Sequence, residues 1–402
     1  MTSLRPRDLL RELVRRPSVN PMGRRSASDS ETRPDSHPEW GEGRVSDFLE
    51  SCFQRIGADY RRWDVLPGRA DLVAVYDPPQ ARRTVMLDAH QDTVPIDGMT
   101  IAPFEPVERD GRMWGRGTCD VKGGMAAMLA AFARLFTERN PGKSRVLLSC
   151  TCDEESTALG IQHLAARWDD PAFAADAAFR RPDLAVIAEP TELDVVVAHR
   201  GAVRWKIVTH GRACHSSEPG DGVNAIYRMA RVLEALEHYA SHLGPMRPAH
   251  PLCGSATISV GLIAGGLSVN TVPDRCEIAV DRRLIPGEDG REAVEDLRRF
   301  LERRAGVDFE FQPVDIIWPA LPDDANRELA DELARVAQGA GARGAFRGVA
   351  FGTHASHTAL HGVPSVVFGP GAIEQAHTKD EWIDLHQLDL ASEIYYRFCA
   401  GA

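Results

Sequence analysis

Five residues of this chain are of types that bind divalent cations: His90, Asp120, Glu155, Glu189 and His377. Imidazole nitrogens mixed with carboxylate oxygens are the ligands that a pair of zinc-like ions takes. The densest stretch is TVMLDAHQDTVP, from Thr84 to Pro95. An apolar strand ends there at His90, and Asp92 follows two residues on, on the same side of an extended backbone. From that position Asp92 can accept a hydrogen bond from the His90 ring nitrogen that does not face metal. Such a bond fixes the tautomer and the ring orientation.

Asp120 lies in WGRGTCDVKGGMAAM, where Gly115, Gly117, Gly123 and Gly124 free the backbone to turn sharply. A carboxylate projecting from such a loop could bridge two cations, or cap the following helix. The same stretch superficially suggests a phosphate loop, but Lys122 precedes the paired glycines and no G-K-S/T follows, so that reading fails. Glu154 and Glu155 are adjacent in CDEES and point to different sides of the chain, so one can ligate metal while the other handles protons. The ordinary alternative is an acidic, solvated turn. Glu189, in VIAEPT, closes an apolar strand, and a bare carboxylate buried there is costly unless it is paired or metal-bound. His377 follows a Gly-Pro-Gly turn, and on its own reads equally well as a surface histidine. His354, His357 and His361 are read as ordinary histidines sharing a helical spacing.

These residues need a scaffold that gathers them. Apolar strand-like runs at 71–76, 84–89, 144–151 and 184–188 alternate with helical segments at 43–56, 123–137 and about 158–168. That alternation predicts an α/β fold with a mostly parallel central sheet and helices on both faces. In such sheets ligand groups collect at the carboxyl ends of the strands, where His90, Glu154, Glu155 and Glu189 fall. After about residue 197 the pattern changes to strand 203–209, helix 222–242, strands 257–263 and 276–284, helix 291–304 and strand 308–313. This β-α-β-β-α-β order is a self-contained ferredoxin-like unit. The expected division is a discontinuous domain, 1–197 and 315–402, interrupted by an inserted α+β domain, 198–314. A helix at 325–338 and a short strand at 365–369 are expected in the second block. The segment 20–43 is polar and reads as a long surface loop.

Composition narrows the function. A net charge of −11 without a basic block argues against nucleic acid or an anionic membrane as partner. No apolar run approaches the roughly 18 residues of a membrane span. The N-terminus reads as an amphipathic helix from near Arg5 and not as a secretory signal. The eight scattered cysteines suggest buried thiols in a cytoplasmic protein, and Cys150-x-Cys152 has the wrong spacing for a zinc knuckle.

Taken in order, these motifs resemble the M20 family of metallopeptidases and amidohydrolases, over almost the whole chain including the insertion. The resemblance implies a zinc-peptidase-like catalytic domain in which Asp120 bridges two zinc or cobalt ions. His90 and Glu189 would complete one ion's protein ligands, Glu155 and His377 the other's. Asp92 would be the partner of His90, and Glu154 the general base. The inserted domain would mediate a homodimer, with His215 reaching the partner subunit's site. Asn270 and Arg283 match substrate-binding positions, and the Arg283 guanidinium suits a substrate carboxylate.

The activity so implied is hydrolysis of an amide. FGPGAIEQAH looks most like acetylornithine deacetylases, which favours an N-acyl amino acid as substrate. A succinyl-diaminopimelate desuccinylase or a dipeptidase is the alternative within the family, and a non-catalytic binding module on the same fold is the remote one. The polar 20–43 segment and GTHASH at 352–357 depart from the relatives and bear on specificity.

Overall fold

The computed structural model describes residues 4–22, 40–138, 142 and 144–401. Most of the polar 20–43 segment lies outside them. Its two ends are described: Asn20 and Glu42 are buried, and Met22 is exposed. The chain divides into two compact units. The first comprises residues 1–197, 323–347 and 353–402, and the second 198–322 and 348–352. The boundary falls later than the expected 315, for a reason of pairing. The Ile316–Trp318 strand bonds to the Gly201–His210 strand and so belongs with the second unit.

The first unit is built on a sheet in the order Asp59–Leu66, Arg69–Tyr76, Ser144–Thr151, Arg83–His90, Leu184–Ile187, Ser365–Val367, Val195–His199, Phe346–Val349. The four strands from Ser144–Thr151 to Ser365–Val367 run parallel, and antiparallel pairs flank them. Strands flanked on both sides and covered on both faces need apolar side chains everywhere. Arg83–His90 is buried from Thr84 onward and apolar at Val85, Met86, Leu87 and Ala89, while its buried Asp88 is paired with His354. The Lys122–Thr137 helix is apolar all round, as a helix inside a core must be. It packs against the Leu385–Ala400 helix, which closes the chain. Its Phe132 is fully buried, and truncating such a side chain to Ala costs about 3–5 kcal/mol.

In the second unit the sheet order is Thr257–Gly265, Arg275–Leu284, Gly201–His210, Glu310–Phe311, all antiparallel. The helices Ala225–Met246 and Gly290–Arg304 supply the apolar side chains that cover it, among them Met229, Val232, Leu297 and Leu301. This is the ferredoxin-like arrangement expected from the order of elements. Among the described residues no helix is long and apolar enough to cross a membrane.

Candidate dinuclear metal centre

The site forms where parallel strands end. His90 pairs with Thr151 in register, so the chain after Thr151 turns back beside His90 and delivers Glu154 and Glu155. Asp88 pairs with Ile187 on the other side, which sets Glu189 two residues beyond that strand end. His377 arrives on the segment after the Ser365–Val367 strand, its backbone in the left-handed region at φ 60°. Asp120 comes from the loop ahead of the Lys122–Thr137 helix. Gly115 and Gly117 there adopt positive φ, as a sharp turn requires. Gly123 and Gly124 act differently from the expectation of a turn: they allow close packing. A Cβ on Gly124 would sit 2.7 Å from the Ala188 Cβ, next to Glu189.

Asp120 is the hub. Its Oδ1 lies 3.1 Å from His90 Nε2, and its Oδ2 lies 3.4 Å from His377 Nε2. Glu189 Oε1 is 3.9 Å from the same His90 nitrogen, and Glu155 Oε2 is 3.2 Å from His377 Nε2. Ligand atoms of His90, Asp120 and Glu189 fall within 4.8 Å of one another, and so do those of Asp120, Glu155 and His377. A third grouping joins His90 with Glu154 and Glu155. Glu154 Oε2 is 4.0 Å from His90 Nε2.

Electrostatics explain what such a cluster requires. Burial, then the charge of Asp120, push the Glu189 carboxyl well above its ordinary range. Burial and the neighbouring Glu155 and Asp120 do the same to Glu154. Glu155 is pushed up to about 7, by burial and by Asp120. Hydrogen bonds to Asp120 and Glu155 raise His377 to about 11. Burial opposes a charge on His90, yet Asp120, Asp92, Glu154 and Glu189 outweigh it and raise its pKa well above normal. The pocket therefore concentrates negative charge that protons relieve, and that cations would relieve better. Glu155 Oε1 is moreover buried with no hydrogen-bond partner among the described residues, an acceptor left for an ion. The donor set fits two divalent cations, which these residues could hold.

Asp92 sits differently from the simple expectation. His90 Nδ1 lies 3.0 Å from the Asp92 main-chain carbonyl and 3.5 Å from its carboxylate. The carboxylate is turned toward the acidic turn, accepting the main-chain N–H groups of Glu154 and Glu155 at 3.1 and 3.0 Å. Asn20 donates its side-chain amide to Asp92 Oδ2 at 2.7 Å and to Asp153 Oδ1 at 3.1 Å. Arg69 bonds Asp153 at 2.8 Å and Glu42 through two nitrogens, at 2.5 and 2.7 Å. Sequence reading missed Asn20, Glu42, Arg69 and Asp153 as a network beneath the site. The only local signal was their charge or polarity beside apolar runs.

His354 and His357 are both buried. His354 Nδ1 lies 2.8 Å from Asp88 Oδ2, and its ring centroid is 6.4 Å from that of His90. His361 pairs with Asp169 near the surface. Lys122 is buried and donates to the Leu13 and Arg16 carbonyls, so it faces the Pro6–Val14 helix and not a phosphate.

The three remaining candidates belong to the second unit. His215 is exposed, with Nδ1 2.8 Å from Ser217 Oγ. Asn270 accepts the Ser216 N–H on its carbonyl at 3.0 Å, and Thr271 bridges to His215. Residues far apart in sequence are thus neighbours. Arg283 lies on the Arg275–Leu284 strand and pairs through Nε with Asp281 at 2.7 Å.

The strand ends of the parallel sheet and the loop ahead of the Lys122–Thr137 helix gather two imidazoles and four carboxylates, the kind of cluster a metal-dependent hydrolase uses. The family model for Peptidase family M20/M25/M40 matches residues 86–400, and the chain belongs to that family. It is 30% identical over 369 residues to an acetylornithine deacetylase of Vibrio campbellii, covering 90% of this chain and 92% of the relative. Among solved structures it resembles a tripeptidase of Staphylococcus aureus, with TM-score 0.78, 20% identity, and coverage of 100% and 98% of the two chains. A dinuclear metal-binding M20 peptidase of Bacillus subtilis aligns with TM-score 0.68 and 17% identity over 98% and 96% of the two chains.

Proposed function

We propose that this hydrolase removes the acyl group from an N-acyl amino acid at a centre of two cations, zinc or cobalt. The observation that carries the centre is Asp120, whose two oxygens face two different histidines. His90 and Glu189 would hold one cation, Glu155 and His377 the other, with Asp120 shared. Bound cations supply Lewis acidity toward the amide carbonyl and lower the pKa of water. Glu154 takes the proton from the attacking water and returns it to the departing amine. Its fitness for both steps is its burial among other carboxylates, which raises its proton affinity. Asp92 holds the main chain of Glu154 and Glu155 in place through two N–H bonds.

The acyl-amino-acid preference rests on the likeness to acetylornithine deacetylase, which extends over nine-tenths of both chains. Arg283 suits the substrate carboxylate, because its pair with Asp281 uses Nε and leaves the Nη groups. Asn270 stands beside His215, as two parts of one substrate-contacting surface would.

A homodimer through the second unit is the favoured assembly, with His215 donating to the developing oxyanion in the partner subunit's site. Its support is the Thr257–Gly265 strand, which among the described residues has a neighbour on one side only. Leu262 and Ile263 on it are exposed, and the following Leu267 and Val269 are 96% and 98% exposed.

Hydrolysis rates on N-acetyl-ornithine, N-succinyl-diaminopimelate and simple dipeptides, with zinc or cobalt added, test the reading. Preference for N-acetyl-ornithine is expected. Preference for dipeptides, or equal rates on all three, would contradict a dedicated deacylase, and metal binding without turnover on any would favour a binding module.

A further inference from the structure

The loop 115–121 that carries Asp120 is held by one side chain from the opposite end of the sequence. Glu381 is completely buried. Its Oε1 accepts the main-chain N–H groups of Cys119 at 2.8 Å and Asp120 at 3.0 Å. Its Oε2 accepts the Gly117 N–H at 2.8 Å and Arg116 Nη1 at 2.7 Å. Successive N–H groups converging on one point form an anion-binding concavity, filled here by the protein's own carboxylate. The same ion pair reaches the other ligand segment. Arg116 Nη2 donates to the carbonyls of Pro95 and of Thr378, the residue after His377, each at 3.2 Å. Glu381 itself follows His377 by four residues, and its carbonyl accepts the Gly115 N–H at 3.0 Å. One buried carboxylate thus ties together the two segments that present Asp120 and His377.

We propose that Glu381 is a positioning residue for the metal centre, fixing Asp120 against His377 through the loop's main-chain N–H groups. This rests on the dinuclear reading above. Glutamine is the informative replacement. It keeps the volume but offers one acceptor oxygen, and its amide would set a donor against N–H groups that already donate. Two of the four bonds are lost, and the loop is free to turn Asp120 away.

The test compares wild type with E381Q, both stripped of metal by chelation, then titrated with Co²⁺ and followed by calorimetry and visible absorption. Wild type is expected to bind two cations per chain. E381Q is expected to bind the weaker of the two about 10- to 100-fold less tightly, the range typical when a ligand's supporting partner is removed. Its turnover should recover when Co²⁺ is raised to saturation, a rescue that neither a catalytic group nor a merely structural one would give. Unchanged Kd values for both cations in E381Q would overturn the proposal while leaving the dinuclear reading intact. Fewer than two cations on wild type would overturn the dinuclear reading itself. Should E381Q fail to fold, E381D serves. It keeps the charge but is one methylene shorter and cannot reach the Gly117, Cys119 and Asp120 N–H groups together, so a weakened cation site is again expected and unchanged affinity again overturns the proposal.

Discussion

Asn20 and Asp92, far apart in the chain, meet through a buried hydrogen bond of 2.7 Å, the amide of the first donating to the carboxylate of the second. Because Asp92 also accepts the N–H groups of Glu154 and Glu155, Asn20 acts on the acidic turn at one remove.

Asn20→Ala is therefore expected to lower turnover roughly tenfold to a hundredfold, since a hydrogen bond to a charged group is worth about 1.5–3 kcal/mol. Asn20→Asp should be worse, because it sets another carboxylate against Asp92 and Asp153. Steady-state kinetics with a thermal melt on each variant read this directly. Wild-type turnover in both would remove Asn20 from the machinery.

Glu154→Gln should leave both cations bound and cut turnover by about 10²- to 10⁴-fold, the usual size of a general base's contribution. Elemental analysis beside kinetics separates this from Glu154 acting as a ligand, which its grouping with His90 and Glu155 also permits. Loss of metal along with activity would assign it to coordination.

Cation uptake should release protons. Hydrogen bonds to Asp120 and Glu155 push His377 up to about 11, so the ring holds a proton at neutral pH that it must lose before Nε2 can bind a cation. Affinity should consequently rise with pH. Calorimetry in two buffers of different ionisation enthalpy measures the release, and identical heats in both would contradict it.

Stability should carry a separate pH signature from Asp71, remote from the ligand set in sequence. Its Oδ1 accepts the Cys152 N–H at 2.9 Å, its Oδ2 is buried without a partner among the described residues, and burial pushes its carboxyl from 3.8 up to about 8. The folded chain then holds a proton that the unfolded chain has lost, so stability falls as pH rises between those values. The slope is at most roughly 1.4 kcal/mol per pH unit. Asp71→Asn should flatten that slope, melting above wild type at pH 8 and close to it near pH 4. Parallel melting curves for the two proteins across this range would exclude the effect.

How much of this was legible in the sequence follows from where each partner lies. His90, Glu155 and Glu189 stand just past apolar strands, so strand order alone predicts their meeting. The ferredoxin-like insertion was readable because its six elements occupy one continuous stretch. Asn20, Glu42 and Arg69 gave no such sign, because their partners are 27 to 133 residues away and pair only once the sheet exists. Asp88 and His354, separated by 266 residues, illustrate the same limit. Asp92 shows another: sequence placed it beside His90, but only coordinates reveal that its carbonyl, and not its carboxylate, is nearer the ring nitrogen. The small sheet of Val107–Arg109, Arg112–Trp114 and Trp382–Asp384 was invisible, since strands of three residues carry no periodicity.

The most direct measurement is the number of cations bound per chain, by elemental analysis and calorimetry, in wild type and in Asp120→Ala. If one carboxylate serves two ions, wild type holds two and the variant, with its fold retained, loses tight binding of both. A folded Asp120→Ala that still binds two cations tightly would contradict the shared centre.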